Sequence, residues 1–179
     1  VFYQIFQDYN MTWQQHLKGV LIAIATATVL LFVISFFVGD EIRVNKSFVV
    51  NSSADSVYSF IKNPKNFNKI IEGSESFDIS FLPDNRGIQY EGFDGNLHQF
   101  KYACFENSKG IELSYFKEGE NLALFKMKAK PKKNATIIEY EKIWKISFNP
   151  LSKILSLNAD EDIEVGMKKD IYNIKKELE

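Results

Sequence analysis

The sequence predicts an α+β domain, an antiparallel sheet closed by a long C-terminal helix, carried behind one transmembrane helix. Three observations lead there. Gly19–Gly39 is an unbroken uncharged run, mostly apolar. After Glu41, apolar residues recur at every second position, in stretches separated by short turn-forming clusters. Near the end, Ile163, Met167, Ile171, Ile174 and Leu178 recur at helical spacing.

The uncharged run comes first. At about 1.5 Å per residue, a helix over it spans about 31 Å, the thickness of a bilayer's hydrocarbon core. Lys18 bounds it on one side and Asp40-Glu41 on the other. A buried core helix with no polar face needs a larger protein around it. A cleaved signal peptide has a shorter apolar core and a small-residue site at its end, whereas Ala25-Thr26-Ala27 lies mid-run. Residues 19–39 therefore read as an uncleaved signal-anchor behind a tail, 1–18. In that tail Phe2, Ile5, Phe6, Tyr9 and Trp13 share a helical face opposite Gln4, Gln7, Asp8 and Asn10, which suits a helix lying in the membrane interface. The first ten residues are a native segment, a fragment edge or an upstream extension, since Met11 lies just before the run. Gly19, Ala23 and Ala27 form a small-residue stripe that allows two such helices to approach. Lys18 is the only Lys or Arg before the run, so orientation is weakly specified. If Met11 starts the chain, the tail is short, non-acidic and carries a free amine, which favours the cytoplasm and puts the domain on the other side.

The domain, 42–179, opens with a strand whose inner face is Ile42, Val44, Phe48 and Val50. Ser52 and Asp55 stand in a capping-box-like spacing before a helix with Ala54, Val57, Phe60 and Ile61 on its apolar side. Asn63-Pro64 ends that helix and begins a second, with Phe67, Ile70 and Ile71 buried and Gly73 as its stop. Six strand candidates follow. Phe77, Ile79 and Phe81 mark the first, Ile88 and Tyr90 the second, and His98, Phe100, Tyr102 and Cys104 the third. Ile111, Leu113 and Tyr115 mark the fourth, and Ala123, Phe125, Met127 and Ala129 the fifth. Ile138, Tyr140, Trp144, Ile146 and Phe148 mark the last, closed by Asn149-Pro150. Turns this short imply an antiparallel meander.

The opposite faces agree with that pairing. Glu112, then Lys126, Lys128 and Lys130, then Glu139 and Glu141 alternate in sign across neighbouring strands, as cross-strand ion pairing favours. A basic patch for anionic headgroups is the competing reading of the lysines. The last helix, from about Asp160 to Leu178, starts with Asp160, Glu161, Asp162 and Glu164 and ends near Lys175 and Lys176, in keeping with its dipole.

Composition excludes several functions. With 22 Lys+Arg against 23 Asp+Glu, the chain has no electrostatic case for nucleic acid. One cysteine, Cys104, and two histidines, His16 and His98, leave no Cys/His zinc framework and no intrachain disulfide. No phosphate loop, dinucleotide fingerprint, HExxH or GxSxG is present, and no cofactor is implied.

The order strand, two short helices, six strands, long helix resembles the helix-grip fold of the SRPBCC superfamily, which includes START lipid-transfer domains and polyketide cyclase/dehydrase-like proteins. Val49-Val50-Asn51-Ser52-Ser53-Ala54-Asp55-Ser56-Val57-Tyr58-Ser59-Phe60-Ile61 with Asn63-Pro64 and Phe67 resembles the opening strand and helix of that superfamily. The segment from Met167 to Glu179 is similar to its closing helix. Asn68-Lys69-Ile70 departs from the pattern, where a Trp often stands.

The resemblance implies a cavity between sheet and last helix that holds an apolar molecule, without implying catalysis. By alternation His98, Phe100, Tyr102, Tyr115, Phe125, Met127, Tyr140 and Trp144 point inward, facing Ile163 and Met167. These side chains either line a cavity for a lipid or polycyclic ligand, or fill the core. His98 is the candidate for acid/base work near neutral pH, against a histidine held at the mouth or by a backbone carbonyl. Cys104, about 20 Å from it along the strand, is too far for a nucleophile pair and reads as a small core residue. Tyr102 and Tyr140 either orient a ligand or hydrogen-bond each other. Gly166, costly inside a helix, either leaves room for a ligand or fits beside a Phe. The partners expected are thus the bilayer and an apolar small molecule, bound by a carrier, converted by a cyclase- or dehydratase-type enzyme, or absent from a filled interaction module.

Overall fold

The computed structural model describes residues 2–147 and 149–179, with side chains from Trp13 onward. The expected face of Phe2, Ile5, Phe6 and Tyr9, and the inward position of Phe148, lie outside the described side chains. The elements are α1 (Phe2–Phe37), β1 (Glu41–Val50), α2 (Ala54–Ile61), α3 (Phe67–Ile70), β2 (Ser80–Phe81), β3 (Gly87–Glu91), β4 (Leu97–Phe105), β5 (Gly110–Lys117), β6 (Glu120–Lys132), β7 (Ala135–Lys145), α4 (Pro150–Leu155) and α5 (Ala159–Leu178). They divide into two units. One is the chain up to Gly39 together with Ser147–Leu157; the other is Asp40–Ile146 with Asn158–Glu179.

In the first unit, α1 runs without a break from Phe2 to Phe37, so the backbone shows no joint between tail and apolar run. Within Trp13–Phe37 an 18-residue window reaches a mean hydropathy of 2.7, so the helix is long and apolar enough to cross a membrane. Two polar side chains in the run satisfy themselves within the helix. Thr26 Oγ1 donates to the Ile22 carbonyl at 2.8 Å, and Thr28 Oγ1 to that of Ile24 at 2.9 Å. Asn149-Pro150 does not merely close the last strand. Asn149 Oδ1 accepts from the Leu151 N–H at 2.9 Å, and Pro150 takes the first helical turn of α4, a helix the sequence reading missed. Six residues with one apolar turn give too little periodicity to be seen against a strand ending.

In the second unit the strands form one antiparallel sheet in the order β1-β7-β6-β5-β4-β3-β2. Alternation predicts the inner face of β1, β3, β5 and β6 correctly: Val44, Phe48, Val50, Ile88, Ile111, Leu113, Ala123, Phe125, Met127 and Ala129 are all buried. β2 is shorter than expected, only Ser80–Phe81, and Phe81 is exposed. Phe77 instead stacks on Tyr90 with ring centroids 4.5 Å apart, so a side-chain contact replaces the strand pairing expected there. Cys104 is exposed, a correction to its reading as a core residue. β4 keeps its direction to Phe105, but burial of its inner face stops at Tyr102.

The cap of α2 also shifts by one residue. Ser53, not Ser52, accepts from the Ser56 N–H, at 3.2 Å. The Ser52 hydroxyl donates to the Leu178 carbonyl at 2.7 Å, tying the start of α2 to the end of α5. On the outer face the ion ladder is present. Lys126 pairs with Glu112 at 3.5 Å and lies opposite Glu141, which Arg43 reaches at 3.3 Å, and Lys130 bonds Glu139. Together these elements make the α+β helix-grip fold, an antiparallel sheet wrapped on a long C-terminal helix.

Candidate functional site

The inner face of the sheet carries a continuous chain of rings. Phe77 stacks on Tyr90, Tyr90 on His98 at 5.1 Å, and His98 on Tyr115 at 5.8 Å. Phe100 lies 4.8 Å from Tyr115 and 5.7 Å from Phe125, and Trp144 meets Tyr115 and Phe125 edge-on. Phe67, brought in by the Pro64 turn before α3, closes on Phe100 at 4.7 Å. Offset and edge contacts at these distances are favourable for aromatic pairs. Of the ten predicted lining residues, Phe100, Tyr102, Tyr115, Phe125, Met127, Tyr140 and Met167 are buried; His98, Trp144 and Ile163 are half-buried.

α5 has one position with open space beside it. A Cβ placed on Gly166 of α5 would meet nothing within 4 Å, so the glycine is not fitted beside a Phe. Residues three before and four after a helical position share its side. Gly166 therefore leaves space on the flank of α5 between Ile163 and Asp170. Tyr102 also borders a cleft of about 400 Å³ with Lys62, Arg86 and Cys104. Its hydroxyl is buried without a hydrogen-bond partner, and burial raises its pKa, as does the Cys104 sulfur. Tyr102 and Tyr140 do not bond each other, because Tyr140 is taken elsewhere.

Two polar assemblies sit among the rings. In the first, His98 Nε2 lies 3.1 Å from Asp94 Oδ1 and Nδ1 lies 2.6 Å from the Tyr115 hydroxyl. An ionised carboxylate only accepts, so Nε2–H donates to Asp94, and in the neutral ring Nδ1 accepts from Tyr115. His98 is thus held by a carboxylate and a phenol rather than by a backbone carbonyl. Lys117, 2.6 Å away, is the main reason that Asp94 stays well below the usual carboxylate range; His98 adds to it. Gly92 makes this approach feasible: a Cβ there would collide with the His98 ring and the Asp94 carboxylate. A bulge in the β5–β6 pairing follows Tyr115 and alters the strand's direction beside it.

The second assembly escaped the sequence reading. Lys142 Nζ lies 2.6 Å from Asp170 Oδ2, and the Tyr140 hydroxyl donates to the same oxygen at 2.8 Å. The Glu72 N–H donates to Asp170 Oδ1 at 3.0 Å. The side chains of Lys142 and Asp170 are 9% and 1% exposed, so both charges lie out of water. The ammonium also stands 5.1 Å from the Phe125 ring centroid, within cation–π range. Burial, then the Asp170 charge, pushes the Tyr140 phenol well above its ordinary pKa, so it acts as a donor. The signal was present in the sequence: Lys142 falls in the inward phase between Tyr140 and Trp144, and Asp170 lies within the stripe between Met167 and Ile174.

The fold was compared with known structures. A protein from Nitrosospira multiformis superposes with a TM-score of 0.57 at 18% identity, covering 77% of this chain and 97% of its own. Norcoclaurine synthase from Thalictrum flavum gives 0.56 at 14% identity, covering 80% and 89%. A protein from Bacillus thuringiensis gives 0.57 at 10% identity, covering 76% and 98%. These share a Bet v1-like fold. The likeness is one of fold. No family model matches the chain, and no curated protein matches it. Among the described residues no group of His, Cys, Asp and Glu is placed to hold a metal ion.

Proposed function

We propose that the chain is a membrane-anchored domain that binds a lipid or other apolar small molecule between sheet and α5, and does not convert it. The observation that carries this reading is the open space at Gly166 of α5, in a Bet v1-like fold whose sheet is lined with rings. Apolar walls with a few fixed polar groups are the usual chemistry of such sites. Another structure of norcoclaurine synthase, in this fold, holds a transition-state analogue, so the fold accommodates a small molecule. The span Trp13–Phe37 supports the anchor. Three residues separate α1 from β1, and a short tether raises the effective concentration of bilayer lipid at the pocket.

The test is binding of a fluorescent apolar probe such as Nile red to the chain beginning at Asp40. Gly166→Leu fills the open flank and should reduce binding, while His98→Ala should leave most of it. A parent domain that binds no apolar probe would sink the carrier reading in favour of a filled interaction module.

A second reading has its own observation. The Asp94–His98–Tyr115 line gives His98 a fixed tautomer and a phenol within reach, the elements of acid/base chemistry. If His98→Ala abolishes turnover of an apolar substrate while binding survives, the domain is an enzyme of the cyclase or dehydratase kind.

A further inference from the structure

We infer that the segment Asn149–Leu157 is a second membrane contact, seated in the same bilayer leaflet as the C-terminal end of α1. The inference goes beyond ligand binding but rests on the reading of α1 as a membrane span.

This segment and α1 belong to one unit, although most of the chain separates them in sequence. The tie is specific. Lys153 of α4 is buried, and its Nζ donates to the carbonyl of Val38, just past the last turn of α1, at 3.2 Å. Carbonyls at a helix end lack intrahelical partners and favour a cation. α4 is thereby held at the end of the apolar helix, the depth of a membrane–water interface.

Its outward side is apolar. Leu151, Leu155 and Leu157 are 57%, 75% and 56% exposed. Phe36 and Phe37, at the end of α1 to which Lys153 ties this segment, are still more exposed. Between Ser147 and Asn158 the chain has no acidic residue, and its one charge, Lys153, is turned onto Val38. The other polar groups are Ser and Asn, suited to the headgroup layer. An apolar surface without charge, tied to a span, fits lipid rather than water.

The test uses the full-length chain in phosphatidylcholine–phosphatidylglycerol vesicles, with Cys104→Ser removing the native thiol. Single cysteines at Leu155→Cys, Phe32→Cys and Lys133→Cys each carry an environment-sensitive fluorophore. Quenching is read with lipids brominated at shallow or deep acyl positions. The expected result is blue-shifted emission at position 155, lost chiefly to shallow bromines, with 32 quenched by deep bromines and 133 by neither. A label at 155 that emits like 133 while 32 is quenched overturns the second contact and leaves the span intact. Blue-shifted emission at 155 without quenching means that protein, such as a second copy, covers the leucines, and also overturns it. If 32 is not quenched, the span fails and the inference falls with it.

Discussion

Asp170 is where a single side chain has the most to lose. Its carboxylate receives three donors, from Lys142, Tyr140 and the Glu72 backbone, in a setting where neither charge reaches water. A buried pair of this kind adds little net stability over an apolar pair, but breaking it strands a charge. Asp170→Asn should therefore cost about 3–5 kcal/mol in equilibrium urea unfolding, by leaving the Lys142 ammonium without its counter-charge. The double change Lys142→Met with Asp170→Leu should recover most of that loss. If the single change is as mild as the double, the pair is not buried as described. Met167 and Ile174, on the same side of α5, are fully buried, so the charge is set within an apolar stripe rather than at its edge.

At the scale of elements, α5 is gripped by packing and by surface ion pairs. Ile174 is fully buried, whereas Ile171, expected in the same stripe, is only partly so. A carboxylate at Ile174→Asp should cost several kcal/mol or hold its proton, by burying a charge without a partner, and Ile171→Asp should cost less. Thermal unfolding of the two variants gives the order, and equal melting temperatures would mean that α5 does not press Ile174 on the sheet. Glu164 joins α5 to β1 through Lys46 at 2.8 Å, and Lys168 pairs with it along the helix. The Lys46 hydrogen bond, more than Lys168, lowers its pKa from 4.5 to about 2. A lowered carboxylate contributes stability above its ordinary value and loses it as pH falls through the folded value. Acid titration from pH 5 toward pH 2 should thus weaken the parent chain more steeply than Glu164→Gln; parallel curves would remove the role of this pair.

For the whole molecule, the proposed attachment rests on α1. The apolar part of α1 exposes Leu21, Ile22, Ile24, Val29 and Phe32, a surface that water disfavours and lipid accepts. A helix satisfies its own backbone groups, as lipid requires, and Thr26 and Thr28 add no unmet donor. The full chain should remain in the membrane pellet after alkaline carbonate washing, while the chain beginning at Asp40 stays in solution. Release of the full chain by carbonate would remove the anchor, though not the helix-grip domain.

The sequence by itself determined the phase of nearly every strand, because side chains alternate strictly along a strand and the alternation is local. It also determined that α1 carries a long apolar run and α5 an apolar stripe, because both are patterns along one continuous segment. Tertiary structure decided which polar side chains meet. Lys142 and Asp170 each occupied an inward phase, but only the packing of α5 against the sheet gives either charge a partner. The same holds for Asn149-Pro150, where a local turn signal became the start of α4 once the chain returned to the end of α1. Periodicity fixes which way a side chain points, whereas its partner depends on chain segments that no short window contains.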